Sequence, residues 1–388
     1  MSKAPQRLFA FFASYGLSCG LFVLLLLLTY LGTLYQVEHG LYEAQRKYFQ
    51  SVFLVHRAFG FIPAPLPGGY LLLILLFVNL FLGGIVRARK GWSTLGILIS
   101  HAGICVLLIG AFITFRCAIT GYMTLGEGES ANEFQDDDEW EIALAQADGI
   151  GLTTERVIRE QAFAQAGQGE RVAFHSAAFP FDVAITGYAK NAAPLAASHS
   201  GAATAKEIDG FTLMPLDPER EPERNLPGAY VTLTEKGTGV SQEGIVWGGS
   251  RFPLSLELGG TRWVVDLRSR RRQLPFTITL NTFTRELYPG TEIPRAYVSH
   301  VTKTEDGVSQ DVEISMNAPL RHRGYTFYQS SWDARPDGQT YSIFAVVRNP
   351  AERFPIYACV IITFGLMVHF TQKFILYLSR ESRKARSA

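Results

Sequence analysis

Residues 92–116 read WSTLGILISHAGICVLLIGAFITFR. The run is apolar over a length that crosses a bilayer, since roughly 20 residues at about 1.5 Å each suffice. Gly96, Ser100, Gly103, Leu107, Gly110 and Thr114 recur at heptad-like spacing, a mostly small stripe that lets a second helix approach closely. One ionisable side chain, His101, interrupts the run near its first third. At about 100° per residue it falls off the small stripe, on a face shared with Ile97, Cys105, Leu108 and Phe112. An imidazole there is costly unless a partner, a cavity or a ligand meets it, so something outside the glycine seam is expected to cover His101.

Three more apolar runs lie outward from this one, at 8–34, 70–86 and 354 to about 377. The first exceeds an ordinary signal-peptide core, and Gly32-Thr33-Leu34-Tyr35-Gln36 offers no small-x-small cleavage site, so it is read as retained. Basic residues cluster before the first run (Lys3, Arg7), between the second and third (Arg87, Arg89, Lys90) and after the fourth (Lys373, Arg380, Arg383, Lys384, Arg386). Positive residues in short loops stay cytoplasmic, which puts both termini in the cytoplasm and residues 35–69 and 117–353 across the membrane. The expected fold is an α+β membrane protein. Residues 1–116 hold three transmembrane helices, 117–353 a large β-rich exported domain, and 354–388 a fourth helix with a basic tail. The loop 35–69 places Leu41, Ala44, Gln45, Tyr48, Val52 and Phe53 near one face and predicts an interfacial helix that Pro63, Pro65 and Pro67 stop.

The chain has 388 residues, 47% of them hydrophobic, and a formal charge of +1, so no bulk electrostatic drive toward nucleic acid exists. Cys19, Cys105 and Cys359 fall inside apolar runs and Cys117 at a membrane border. No CxxC occurs, which excludes a thiol-disulfide oxidoreductase of that type and leaves the membrane cysteines as small buried hydrophobes.

From Thr120 the periodicity turns alternating. Phe181–Gly187, Ala229–Thr234, Arg262–Leu267, Phe276–Asn281, Ala296–Thr302, Val312–Met316, Thr326–Ser331 and Tyr341–Val347 read as strands of an antiparallel sandwich or barrel-like domain, with turns at Glu305-Asp306-Gly307 and Asp337-Gly338. Ala189–Lys206 reads as an insertion loop, and Asp217–Arg224 as solvated loop. The clusters Asp136–Glu139 with Glu141, and Arg268–Arg272, read as solvated faces, with a docking patch as the alternative. GxSxG, HExxH, P-loop and GxGxxG signatures are missing, and His175, His199, His300 and His322 stand without partners at metal-ligand spacing. His39 and His56 read as anchoring residues. The exported part thus reads as a binding or scaffolding module.

Two explanations remain for His101. It is a structural histidine bonded to a neighbouring helix, or it ligates a metal or haem, because neutral imidazole is a common axial ligand and an apolar wall suits a porphyrin. His369 in the fourth run is a second candidate.

Several stretches in order resemble the ResB family, also called CcsB, of cytochrome c biogenesis. They are YLGTLYQVEHGLYEAQRKYFQS (30–51), PLPGGYLLLILLFVNL (65–80), SHAGICVLLIGAFITFRCAITGYMTLGEGES (100–130), ELYPGTEIPRAYVSHV (286–301), MNAPLRHRGYTFYQSSW (316–332) and RNPAERFPIY (348–357). Arg348-Asn349-Pro350-Ala351 and Gly126-Glu127-Gly128 depart from the family's usual Asp-Pro-Gly and Arg-Glu-Gly. The resemblance implies a bacterial inner-membrane subunit that works with a CcsA-like membrane protein to carry haem b across the membrane and present it to apocytochrome c. It further implies that His101 shares a transmembrane haem site with a histidine of that partner, and that this chain is a non-catalytic or co-catalytic part of a holocytochrome c synthase. The alternative is a scaffold subunit of a membrane electron-transfer assembly that binds no haem.

Overall fold

The computed structural model describes residues 4–58, 61–148, 151–152, 155–177, 179–199, 206–291, 294–334 and 339–387. Its helices in chain order are α1 (Ala4–Phe12), α2 (Tyr15–Ala44), α3 (Gly69–Asn79), α4 (Leu95–Cys117), the one-turn α5 (Glu160–Phe163) and α6 (Phe354–Ser387). Two compact units result, one from residues 1–118 with 349–388 and one from residues 119–348.

In the helical unit, four segments among the described residues are long and apolar enough to cross a membrane: Tyr15–Phe49, Gly69–Val86, Trp92–Cys117 and Phe354–Arg386. The first run is not one helix from residue 8 on. It breaks at Ala13-Ser14, where the Ser14 hydroxyl caps α2 by accepting from the Leu17 N–H at 3.2 Å. Asn79, 4% exposed inside an apolar helix, makes the break tolerable. Its Nδ2 donates to the carbonyls of Phe12 (2.7 Å) and Ser14 (3.0 Å), and its Oδ1 accepts from the Ser18 hydroxyl (2.5 Å). Carbonyls freed at a helix end have no water to turn to in a bilayer, so an internal amide takes that place.

The interfacial helix expected within 35–69 is not what forms. Instead α2 bends at Gly40 (φ 83°) and runs into a π-helical turn, Gln45–Phe49. Phe53–Ala58 and Ile62–Pro67 then make an antiparallel hairpin. Pro63, Pro65 and Pro67 alternate, so their missing N–H groups share one side of a two-stranded ribbon, and the outer edge needs none. Tyr48 is fully buried beside Leu21, Leu28, Leu54 and Leu72.

The small-residue stripe of α4 meets α6, which runs antiparallel to it. A Cβ on Gly96 would lie 2.5 Å from the His369 nitrogen, one on Gly103 2.7 Å from Ile362, and one on Gly110 2.5 Å from Phe354. The Ser100 hydroxyl bonds within the seam to the Gly96 carbonyl, and Asn349 closes it at the far end by donating to the Thr114 hydroxyl at 3.1 Å.

The β-rich unit has two cores. Val172–Phe174, Phe181–Ala189, Gly228–Glu235 and Ser241–Trp247 form a four-stranded antiparallel sheet over Ile142, Phe163, Ile185, Leu233 and Val265. The second core, around Phe134, Ile278, Val301, Ile314, Phe327 and Phe344, is wrapped by the larger sheet. That sheet curls on itself. Ser299 in Pro294–Glu305 bonds to Gln329 (2.6 Å) in Tyr325–Ala334 and to Ser342 (2.9 Å) in Thr340–Arg348, strands several places away in the order. The eight expected strands are present, but Arg262–Leu267 and Phe276–Asn281 belong to one strand, Thr261–Leu287. Within the expected insertion loop, Ala192–Ala196 is instead a strand paired with Phe211–Pro215, while residues 200–205 lie outside the described residues. Glu305-Asp306-Gly307 turns as expected, with positive φ at Asp306 and Gly307; Asp337-Gly338 lies outside the described residues.

The two charge clusters are not solvated faces, because they neutralise each other. Ser130–Asp148 and Thr261–Leu287 are neighbouring strands that run through both cores. Where they pass between the cores, Arg268 pairs with Glu141 (3.2 Å) and Glu155 (2.6 Å), Arg270 with Glu139, Arg271 with Glu133 (3.3 Å), and Arg272 with Asp136 and Glu139. Glu141 and Asp136 are 3% and 5% exposed, which a carboxylate tolerates only with such partners.

Candidate functional site

His101 is half-buried on α4, off the seam that α6 occupies. What covers it is the π-helical continuation of α3, Leu80–Val86. The imidazole Nδ1 bonds to the Gly84 carbonyl oxygen at 3.0 Å. That oxygen lies in the last turn of its helix, among carbonyls without a helical partner. A Cβ on Gly84 would come within 2.6 Å of Nδ1, so the approach requires glycine at this position.

The bond fixes the tautomer. A carbonyl only accepts, so Nδ1 carries the proton and Nε2 of the neutral ring keeps its lone pair. Nε2 has no hydrogen-bond partner among the described residues. An imidazole whose one nitrogen donates to a backbone carbonyl while the other holds a free lone pair is the arrangement of a metal-ligating histidine. Ile97 and Phe112, on the same α4 face, are 37% and 62% exposed, an apolar wall beside that nitrogen's helix.

His369 is placed elsewhere. Its backbone packs on Gly96 in the α4–α6 seam, its ring lies edge-on to Phe370 at 5.7 Å, and its Nδ1 is buried without a hydrogen-bond partner. One turn on, Gln372 donates to the Trp92 carbonyl at 2.6 Å. His101 bonds to the segment that continues α3, whereas the His369 backbone packs on α4, and no hydrogen bond joins the two histidines among the described residues.

The other histidines have local partners. His39 stacks on Tyr35 at 3.8 Å, and His56 bonds to the Tyr48 hydroxyl at 2.7 Å. His175 pairs with Asp182 (2.8 Å) and His322 with Glu305 (2.7 Å). His300 is exposed, and the His199 side chain lies outside the described residues. No group of three metal-ligating side chains occurs among the described residues. The cysteines are unpaired, with Cys105 alone buried.

Sequence reasoning placed His101 on its own face but missed Gly84. The available signal was the Gly83-Gly84 pair inside an apolar run, where backbone approach is the usual reason for glycine.

Residues 238–358 match the model that describes the ResB-like family, a range that includes Thr261–Leu287, Pro294–Glu305, Tyr325–Ala334 and Thr340–Arg348 of the second core and the start of α6. Protein NrfI of Wolinella succinogenes is 28% identical over 131 residues, 31% of this chain and 14% of that protein. Cytochrome c biogenesis protein CcsB of Synechococcus sp. (strain CC9902) is 39% identical over 103 residues, 26% of this chain and 23% of that protein. The protein of the same name from Synechococcus sp. (strain CC9605) is 30% identical over 126 residues, 32% and 28% of the two chains. The chain thus spans less than a third of the length of each of these relatives. The ResB-like resemblance read from the sequence motifs is borne out, and the two Synechococcus relatives are cytochrome c biogenesis proteins by name.

Proposed function

We propose that this chain is the ResB-like subunit of an inner-membrane assembly that carries haem to the outer face of the membrane for covalent attachment to apocytochrome c. In this reading the four apolar helices cross the membrane with both termini in the cytoplasm and the β-rich unit in the periplasm, an orientation that the basic clusters at Arg87, Arg89, Lys90 and the C-terminal tail support. The observation that carries the reading is the His101–Gly84 bond, which leaves Nε2 as a ligand nitrogen on an apolar helix face. His101 would hold haem b from one side, and a CcsA-like partner would supply the second ligand. Haem, the cargo, brings the iron and the vinyl groups that become thioethers. Within this chain, Gly84 orients the imidazole, and the β-rich unit holds the partner or apocytochrome. The names of the similar proteins support this assignment. Purifying the chain with its native partners and recording the absorption spectrum tests it: a haem band that depends on the partner is expected.

A second reading, a scaffold subunit of a membrane electron-transfer assembly, draws on the same bond, because His101 already has a partner within its own chain. It predicts no haem band in that preparation and unchanged c-type cytochrome levels when His101 is replaced.

A further inference from the structure

The hairpin of Phe53–Ala58 and Ile62–Pro67 joins two apolar spans and is tied down at its base, where the Gly68 N–H donates to the Val52 carbonyl at 2.8 Å and the Tyr70 N–H to that of Ser51 at 3.2 Å. Its inner face leans on the helices. Leu54 and Leu66, opposite each other in the register, join the core of Leu21, Leu28 and Leu72, and His56 bonds to the buried Tyr48. Alternation turns Phe53, Val55 and Arg57 to the outer face, opposite Pro67, Pro65 and Pro63. Phe53 is 73% exposed and Val55 55%, so an apolar sheet face looks away from the helices on which the hairpin lies. Where those helices cross a bilayer, lipid is on that side, and a base set between the ends of two spans puts the hairpin at headgroup depth. Its free edge suits that depth. The three prolines offer no N–H there, so the edge carries no donor that a water-poor boundary would leave unpaired.

Two cations border this face without a counter-ion. Lys47, in the π-helical turn, holds its ammonium 4.1 Å from the centre of the Tyr35 ring and 5.7 Å from that of Tyr48, contacts that attract the cation but leave its charge unneutralised. Arg57 ends the outer row. Neither has a carboxylate within ion-pair distance among the described residues, whereas Arg46 beside them pairs with Glu43 at 3.7 Å. The charges of Lys47 and Arg57 are near enough to repel each other. Basic residues often set the orientation of a membrane protein, but these two lie at the opposite end of the spans from Arg87, Arg89 and Lys90, so orientation does not account for them. An anion shared between them does, and an ammonium beside a planar guanidinium suits a phosphodiester.

We propose that the hairpin lies in the headgroup layer, where Lys47 and Arg57 hold the phosphate of an anionic phospholipid whose acyl chains cover Phe53 and Val55. A free phosphate would leave the apolar face bare. A peptide strand could not add to the proline edge, which gives it no N–H to pair with. This rests on the helices crossing a bilayer, as in the reading above, and not on haem binding by His101.

The test uses the full chain carrying Phe53→Trp, reconstituted into phosphatidylcholine vesicles with either brominated phosphatidylglycerol or brominated phosphatidylcholine at the same low mole fraction. Bromine on an acyl chain quenches a tryptophan that it touches, and subtracting the fluorescence of the unsubstituted chain isolates position 53. Both lipids are expected to quench, the anionic one about threefold more strongly. Lys47→Gln together with Arg57→Gln should equalise them, while Lys47→Arg together with Arg57→Lys should keep the preference. Arg220→Gln, in the β-rich unit, and glycerol phosphate in the buffer should leave it unchanged. Absence of quenching by either lipid would show that water or protein covers the face and would overturn the proposal. Equal quenching by the two lipids, a preference that survives the double glutamine variant, or one that glycerol phosphate removes would overturn the lipid phosphate site. Flotation with the vesicles is read separately, and a chain that fails to float would overturn the membrane reading itself.

Discussion

The Nδ1 of His101 and the carbonyl oxygen of Gly84 are 3.0 Å apart, and the same Nδ1 stands 2.6 Å from where a Cβ on Gly84 would be. One residue thus both bonds the imidazole and leaves it room. Gly84→Ala adds a methyl group where there is none to spare, so the ring must shift or turn. The expected result is normal insertion with haem retention reduced roughly tenfold, the usual cost of disturbing a group that orients a metal ligand. The Soret absorbance per mole of purified protein measures it, and unaltered absorbance would show that Gly84 does not position the ring.

At Gly96 the seam between α4 and α6 is made by backbone, which cannot swing away. The nearest atoms there are the His369 nitrogen at 2.5 Å and the Gly365 oxygen at 2.6 Å. Gly96→Ala should therefore push the helices apart and destabilise the full chain in detergent by about 1–3 kcal/mol, a typical overpacking cost. Gly20→Ala, where no atom lies within 4 Å, should leave thermal unfolding unchanged or slightly improved.

Arg268 holds Glu141, 3% exposed, and Glu155 together between the two cores. Arg268→Ala strands a buried carboxylate and is expected to cost about 3–5 kcal/mol, measured by urea unfolding at pH 7. Replacing Arg268 and Glu141 together by Met should cost much less. The hydrogen bond from Arg268 keeps the Glu155 carboxyl below its ordinary value of 4.5. A depressed acid stabilises the fold above its unfolded-state value, and that contribution is lost as pH falls through the folded-state one. The penalty of Arg268→Ala should accordingly shrink when unfolding is measured below about pH 4.

Much of this was legible from one chain of letters. The period of small residues from Gly96 to Thr114 announced a close helix partner, which α6 supplies, and alternation located the strands. The failures share a physical cause, that pairing between distant segments is invisible to local patterning. Asp136–Glu141 and Arg268–Arg272 look solvated one at a time and are half-buried together. Pro63, Pro65 and Pro67 look like a helix stop until their common side of a hairpin edge is seen. Asn79 is a lone polar residue in an apolar run, and only the break at Ala13-Ser14 explains it. For His101, periodicity gave the face but could not give Gly84 as its neighbour or fix which ring nitrogen carries the proton.

His101→Ala tests the role of His101 as a haem ligand most directly. The variant should insert, retain its partner and keep the α4–α6 seam, since His101 lies outside that seam. The measurement is the absorption spectrum of the variant purified with its native partners, beside the holocytochrome c level of the same cells. Loss of the haem band and of holocytochrome, partly restored by imidazole in the medium, is the predicted result. A normal haem band and normal cytochrome levels in His101→Ala would contradict the ligand assignment and leave the scaffold reading as the account of this chain.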